Sequence, residues 1–102
     1  MKAAIMVPGA DGGRWDVRDV QRPVVTAGHV LVRVRASSLN RAEFRRLHTL
    51  RIRSGQTPEA RTGGGDAAGE VVEIGRDVSG IKPGDRVMGR CGGGFAEFAL
   101  LD

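Results

Sequence analysis

The side chains that could do chemistry in this chain of 102 residues are few and widely separated. Cys91 is the single cysteine, which excludes an intramolecular disulfide and any site built on several thiolates. His29 and His48 have no third ligand at a useful spacing, and we interpret both as solvated surface residues. Only Arg90 adjoins Cys91 as a cation, so we interpret this thiol as structural or incidental. The sequence therefore predicts no metal site and no cysteine nucleophile.

A glycine-rich stretch satisfies the dinucleotide fingerprint GxGxxG/A through Gly63, Gly65 and Ala68. That motif needs a strand before it and a helix after it, because the helix N-terminus receives the pyrophosphate. Here a loop precedes the glycines and a run rich in β-branched residues follows them. We therefore expect the glycines to let backbone segments approach closely, not to hold a cofactor.

Asn40 and Glu43 lie three residues apart at the start of a helix predicted from about Arg41 to Leu47. Ser38 or Asn40 can cap that helix, and Glu43 is an acid in its first turn, where the helix dipole favours it. The residues by themselves leave open whether this pair only starts a helix or also serves a site.

Short strands must position these residues, and the clearest runs from Val30 to Ala36. Its alternation predicts that the valine side faces a core and that Leu31, Arg33 and Arg35 lie opposite. The other predicted strands are Lys2 to Val7, Trp15 to Val20 at an edge, Ala67 to Ile74, Arg86 to Gly89, and Phe95 to Leu101. Leu50 to Gly65 has no period and predicts a mobile loop. Strands this short, with one small helix, predict a mostly β barrel or sandwich.

The stretch from Gly63 to Asp85, with the two residues after it, resembles the signature of the GroES-like domain that opens the medium-chain dehydrogenase/reductase enzymes. In that signature an acidic residue and AGxVxxxG are followed by xxVxxxxxGDRV. The matching positions are Asp66, Ala68, Gly69, Val71, Gly75, Val78, Gly84, Asp85, Arg86 and Val87. The resemblance implies one GroES-like domain over residues 1–102, a mostly β compact barrel of short strands with one short helix. It also implies a Rossmann cofactor domain that this chain does not contain.

Zinc enzymes of the resembled family take a cysteine from the segment after the Ala36 strand and a histidine from a GHE tripeptide. Asn40 and Gly65 stand at those two positions here, so the soft donors that zinc prefers are missing. The segment from Ser38 to Glu43 resembles instead the SLNxxD segment of the quinone oxidoreductases, which work without zinc. That resemblance implies that Asn40 and Glu43 are the catalytic residues and that Asn40 lies near the nicotinamide.

The function that the resemblance implies is the substrate-cleft half of an NADPH-dependent oxidoreductase. Such an enzyme, a quinone oxidoreductase or an enoyl or enone reductase, transfers hydride to a conjugated carbonyl compound. We expect the chain alone to be inactive and not to bind NADPH. Two alternatives stay open: a stand-alone GroES-like binding or structural module, and a zinc-type alcohol dehydrogenase domain that has lost its ligands. We also expect a homo-oligomer, formed through the final strand.

A net charge of +4 arises from 16 basic residues, 14 of them arginine, against 12 acidic residues. The densest basic cluster consists of Arg41, Arg45, Arg46, Arg51 and Arg53. We interpret it as a solvated surface without the interleaved aromatics that stack on bases, and we predict no nucleic-acid partner. No apolar run approaches the roughly 18 residues of a membrane span, and no signal-peptide core is present. We therefore expect a cytoplasmic protein with no membrane partner.

Overall fold

The computed structural model describes all 102 residues, which form seven strands and one helix. In chain order the elements are β1 (Lys2–Val7), β2 (Arg14–Asp19), β3 (Val30–Ala36), α1 (Arg41–Thr49), β4 (Arg61–Thr62), β5 (Asp66–Ile74), β6 (Arg86–Arg90) and β7 (Phe98–Leu101). The helix has nine residues, and no helix in the structure has the length and apolar character needed to span a bilayer.

The strands form two antiparallel sheets. In the smaller sheet β1 lies between β2 and β4, and in the larger the order is β6-β5-β3-β7. The chain between β6 and β7 joins the two sheets, since Ala96 bridges to Ala3 and the Ala4 N–H donates to the Phe95 carbonyl oxygen at 2.8 Å. The mostly β fold with one short helix is confirmed.

The main core covers one face of the larger sheet. Its six buried residues are Val30, Val32, Ala67, Val71, Ala99 and Leu101. Val34 packs against this cluster as predicted, but Ala36 at the end of β3 is exposed. The valine side of β3 therefore faces the core over most of its length, until the strand leaves the sheet toward α1.

The opposite face of the larger sheet is also partly buried, which the alternation of β3 did not predict. Leu31 is buried and lies beside Leu100 in register. Phe98 is on the same face, and the guanidinium carbon of Arg22 lies 3.7 Å from its ring centroid. The segment before β3 thus covers this face, and a single strand carries no signal for such a long-range contact.

The segment between α1 and β5 is more regular than the predicted loop. It contains β4, whose Thr62 pairs with Ile5 of β1. Its start is tied to the β1–β2 connection, because the Gly9 N–H donates to the Leu50 carbonyl oxygen at 3.0 Å and the Ile52 N–H donates to that of Gly9 at 2.8 Å. Most of the segment is a loop as predicted, but the prediction missed β4 and these contacts, because backbone bonds to distant residues leave no periodic pattern of side chains.

The last strand is shorter than predicted, because β7 begins at Phe98 and not at Phe95. The Phe95 N–H donates to the Gly63 carbonyl oxygen at 2.9 Å, and the Phe95 ring centroid lies 5.7 Å from that of Trp15. The apolar alternation from Phe95 to Leu101 is therefore divided between the two sheets.

Candidate functional site

Asn40 is the N-cap residue of α1, with an extended backbone at φ −113° and ψ 161°. Glu43, the third helical residue, accepts the Asn40 backbone N–H at 2.8 Å through Oε2. This contact satisfies one of the free donors at the helix start, and the Glu43 N–H donates to the Asn40 backbone carbonyl oxygen at 3.1 Å. The predicted helix start is confirmed, and α1 continues two residues beyond the predicted end, to Thr49.

Glu43 is a buried carboxylate, with 3% of its surface exposed. Its second oxygen, Oε1, accepts the Gly65 N–H at 3.0 Å. The side chain therefore links the start of α1 to the glycine loop before β5. Both of its oxygens are occupied and little of its surface is exposed, so the contacts of Glu43 in this chain are with two backbone segments. The catalytic role that the resemblance implies for Glu43 stays a prediction.

Asp66, the first residue of β5, accepts hydrogen bonds from two residues of the β3–α1 turn. Ser38 donates twice to it, from its N–H to Oδ1 at 2.9 Å and from its hydroxyl to Oδ2 at 2.5 Å. The Asn40 amide Nδ2 donates to Asp66 Oδ2 at 3.1 Å and to Ser38 Oγ at 2.9 Å. We call Ser38, Asn40 and Asp66 the polar cluster. Sequence reasoning found Asn40 but gave Ser38 no role beyond a possible helix cap.

The charge of Asp66 fixes the orientation of Asn40. Hydrogen bonds from the Ser38 hydroxyl and N–H, and a weaker one from Asn40, hold the pKa of Asp66 below its ordinary value, so it is a carboxylate at neutral pH. A carboxylate only accepts hydrogen bonds, so the NH₂ group of Asn40 must face it. The Asn40 Oδ1 is then the amide atom available to a ligand. The polar cluster can orient a hydrogen-bond donor of a ligand. Its one carboxyl group, Asp66, is deprotonated at neutral pH and so has no proton to donate.

The polar cluster borders a cleft of about 510 Å³ between the end of β3, the start of β5 and β6. The lining residues are Ala36, Ser37, Ser38, Asp66, Ala67, Ala68, Met88, Gly89 and Arg90. Met88 extends over this surface with 84% of its own area exposed. An apolar wall with a few convergent polar groups is typical of a small-molecule site.

The residues at the positions of the family's zinc ligands do lie together, but they do not fit zinc. Asn40 and Gly65 share the Glu43 carboxylate through their backbone N–H groups. Neither offers a thiolate or an imidazole, and no three His, Cys, Asp or Glu side chains of the chain group closely enough to hold a metal ion. The donor chemistry of this place is that of amide, hydroxyl and one carboxylate.

The remaining chemical side chains lie apart from the polar cluster or are unreactive. His29 Nε2 is 2.9 Å from Asp102 Oδ1 at the C-terminus, and His48 is exposed on α1. Cys91 is half-buried, and desolvation raises the pKa of its thiol, which lowers its thiolate fraction.

The glycine loop before β5 serves close backbone contact, as expected. A side chain at Gly63 would overlap the Trp15 ring, and Gly64 has a positive φ of 99° with the Phe95 backbone against it. β5 follows this loop directly, so no helix N-terminus is present there to receive a pyrophosphate.

The sequence pattern of the alcohol dehydrogenase GroES-like domain matches residues 26–102. That range contains the polar cluster, Glu43 and the larger sheet. The chain belongs to this family. β1 and β2 precede the matched range, yet β1 pairs with both β2 and β4, so one sheet joins them to the matched residues.

Three known proteins illustrate the similarity. The GroES-like domain is 41% identical over 101 residues to the trans-enoyl reductase FMN2 of Fusarium mangiferae, covering 98% of this chain and 25% of that protein. It is 32% identical over 103 residues to the chloroplastic quinone-oxidoreductase QR1 of Triphysaria versicolor, covering 95% and 31%. The structure of mycobacterial Rv1454c complexed with NADPH superposes with a TM-score of 0.83 at 22% identity, covering 98% and 31%. The chain thus spans a quarter to a third of the length of these proteins.

Proposed function

We propose that this GroES-like domain forms the substrate wall of an NADPH-dependent, zinc-independent reductase that transfers hydride to a conjugated carbonyl compound. The observation that carries the proposal is the polar cluster, in which Asn40 and Asp66 are hydrogen-bonded to each other beside an apolar cleft. Where the family's zinc enzymes hold a metal, this chain holds an oriented amide.

The glycine loop of this chain does not fit the cofactor's pyrophosphate, because the loop runs into β5 and not into a helix. NADPH, when held by a further domain of the full-length protein, would supply the hydride. The chain's own contribution is to position the substrate against the nicotinamide and to exclude water. Positioning of this kind can account for much of the rate enhancement of such a reaction. Asn40 Oδ1 would accept a hydrogen bond from a ligand amide or hydroxyl, and Met88 with the alanines of the cleft would cover an apolar acyl or ring system.

An enoyl compound is the substrate class that we favour over a quinone. FMN2, named a trans-enoyl reductase, is 41% identical to this chain, against 32% for the quinone-oxidoreductase QR1. The cleft surface is largely apolar beside the polar cluster, which suits an extended acyl chain.

The test is an NADPH oxidation assay on the protein expressed from the complete reading frame that contains residues 1–102. We expect reduction of an enoyl thioester, and we expect Asn40→Ala to lower kcat/KM by about tenfold, the loss of roughly one hydrogen bond to the reacting complex. Gln21→Ala removes an exposed amide far from the polar cluster in sequence and should leave kcat/KM unchanged. Equal activity of Asn40→Ala and the parent protein would contradict the role of Asn40, and absence of any enone, enoyl or quinone reduction would contradict the function.

Zinc independence has its own test in the same preparation. We expect elemental analysis after dialysis to find far less than one zinc per chain, and chelator treatment to leave activity intact. A stoichiometric zinc that survives dialysis, with activity lost on its removal, would favour the zinc-type alternative.

A further inference from the structure

Five exposed arginines are concentrated on α1 and the segment after it. They are Arg41, Arg45, Arg46, Arg51 and Arg53. The only acid from Arg41 to Arg53 is Glu43, which is buried and turned toward Gly65, and the next acid along the chain is the exposed Glu59. Outside this stretch, 11 basic residues are balanced by 11 acidic residues, so the net charge of +4 comes from the stretch itself.

None of these arginines forms an ion pair, although several other basic residues do. Arg18 pairs with Asp16, Arg35 with Glu70 and Lys82 with Asp85. Arg41 and Arg45 are one helical turn apart, where like charges repel. A solvated surface explains the exposure of the cluster, but it leaves five neighbouring arginines without an acidic partner.

Two adjoining depressions lie among these arginines, with volumes of about 590 and 310 Å³. The first is lined by Thr49, Arg51, Arg53, Gly55, Gln56, Thr57 and Pro58, and the second by Ala42, Arg45, Arg46 and Thr49. Thr49 is common to both, so they form one surface, which we call the arginine groove. Its walls hold four arginines, no acid and no large apolar side chain, a lining that suits an anion.

The backbone that carries Arg51 and Arg53 is held in place by hydrogen bonds. Arg53 and Gln56 exchange two backbone bonds, at 3.0 and 2.9 Å, in a tight turn that includes Gly55 at φ 76°. Arg51 is bridged to Gly9, and the preceding Leu50 is buried. The arginine groove is therefore partly preorganised, which lowers the entropy lost when a ligand binds.

We infer that the arginine groove binds a small ligand carrying at least two phosphate groups. The planar guanidinium matches the oxygens of a phosphate in a bidentate fork, and four such groups match several negative charges better than one carboxylate would. The last turn of α1 presents carbonyl groups that disfavour an anion, but the effect of the helix dipole is weak at an exposed surface. Several charge-assisted hydrogen bonds from guanidinium groups exceed that cost.

This inference rests on the proposed function for the identity of the ligand. The polar cluster lies at the start of α1 and the arginine groove along its second half, within a helix of nine residues, or about 13 Å. A thioester whose carrier ends in phosphate groups could place its acyl part in the cleft and its phosphates in the arginine groove. The substrate class is then a phosphate-bearing enoyl thioester and not a free enone or quinone.

Binding is tested by calorimetric titration of the 102-residue chain with inorganic pyrophosphate. We expect saturable binding that weakens with salt, and a loss of about tenfold or more in Arg51→Gln/Arg53→Gln. The control Arg76→Gln/Arg86→Gln removes the same charge from two exposed arginines outside the arginine groove, and it should change the affinity less than twofold. Circular dichroism verifies that both variants fold.

The inference would be overturned by no saturable binding to the parent chain. Equal loss of affinity in both double variants would also overturn it, because net charge alone would then be responsible.

A nucleic acid is the alternative ligand. Phe44 lies among the arginines with 49% of its surface exposed, so the expectation of no interleaved aromatic was wrong. A single-stranded oligonucleotide that binds more tightly than pyrophosphate, and loses affinity in Arg51→Gln/Arg53→Gln, would replace the small ligand with a nucleic acid.

Kinetics separate this inference from the proposed function and distinguish the phosphate sources. On the protein from the complete reading frame, we expect KM for an enoyl-coenzyme A below that for an enoyl-pantetheine without phosphate, and we expect Arg51→Gln/Arg53→Gln to remove the difference with kcat kept. An enoyl-phosphopantetheine that matches the coenzyme A ester would assign the groove to a carrier's single phosphate and overturn the requirement for two. Equal KM values for all three esters would overturn the inference and leave the reductase function intact.

Discussion

Asp66 is the residue on which the polar cluster depends, since it accepts hydrogen bonds from Ser38 and Asn40. Its negative charge decides which atom of the Asn40 amide faces a ligand. Glu43 supports the same place from inside, by joining the Asn40 and Gly65 backbones. Two carboxylates therefore hold the site, one exposed to ligands and one buried beneath it.

We expect the carboxyl group of Asp66 to titrate below an ordinary aspartate, and Ser38→Ala to bring its pKa back toward the ordinary value of about 3.9. Because the folded pKa is depressed, the stability that Asp66 contributes is complete above the unfolded pKa and is lost as pH falls through the folded pKa. The measurement is an NMR titration of the side-chain carboxyl carbon. Ser79→Ala, in an exposed turn, is the control that should leave the titration of Asp66 in place. An unchanged Asp66 pKa in Ser38→Ala would contradict the assignment of its hydrogen bonds.

We expect Glu43→Gln to lower the free energy of unfolding by about 1–3 kcal/mol. The amide replaces one acceptor oxygen by an NH₂ group, which then faces a backbone N–H donor in a buried place. Urea unfolding measures the change, and Glu73→Gln on the exposed surface of β5 serves as the matched control. Equal stability of the two variants would mean that Glu43 does not link α1 to the glycine loop.

At the scale of the elements, β3 and β5 position the polar cluster because they are paired antiparallel strands. The end of β3 and the start of β5 therefore lie side by side. β3 ends at Ala36, opposite Ala68, and the turn to α1 then passes over Asp66 at the start of β5. The pairing is irregular between Val34 and Ala36, where Gly69 approaches the Arg33 carbonyl oxygen. A glycine is required at this point, since a side chain there would overlap that oxygen.

We expect Gly69→Ala to destabilise the domain by about 1–3 kcal/mol, because β3 and β5 must separate to admit the methyl group. Gly92→Ala is the matched control, since no atom lies within 4 Å of a side chain built there. It should alter the unfolding free energy by less than about 1 kcal/mol. Thermal unfolding of both variants gives the comparison, and a Gly69→Ala protein as stable as Gly92→Ala would disprove the close approach.

At the scale of the whole molecule, the GroES-like domain buries little of its own surface. Only 17 of 102 residues are buried, and the radius of gyration of 14.7 Å exceeds the roughly 13 Å of a compact chain of this length. The large exposed apolar residues are Val17, Val24, Leu39, Phe44, Ile52 and Met88. An exposed apolar surface of this kind is suited to contact with another protein surface, such as a second copy of the chain.

We expect the 102-residue chain to self-associate at tens of micromolar through the edge of the larger sheet, where Met88 is exposed on β6. Met88→Lys should lower the associated fraction in light scattering, while Val17→Lys, on the edge strand β2 of the smaller sheet, should not. The final strand, through which the sequence predicted association, offers little exposed apolar surface, because Phe98 is buried and Arg22 lies over its ring. A monomer at these concentrations would contradict the expected association.

The sequence by itself determined the family and most of the strands. The β1, β3 and β5 runs are local patterns of alternating or β-branched residues. The spacing of glycine, valine and GDRV that defines the GroES-like domain can be recognised from the sequence alone. It also placed Asn40 at a helix start, because capping depends on neighbours three residues apart.

Only the tertiary structure decided what those residues do together. Asp66 meets Ser38 across 28 positions of sequence, Glu43 meets Gly65 across 22, and Leu31 is covered from the far side of its sheet. The arginine groove likewise arises from a helix and a loop that β1 and Gly9 hold in place. Contacts of this kind depend on which strands pair and in which register, and a hydrogen bond between distant residues leaves no period in the sequence.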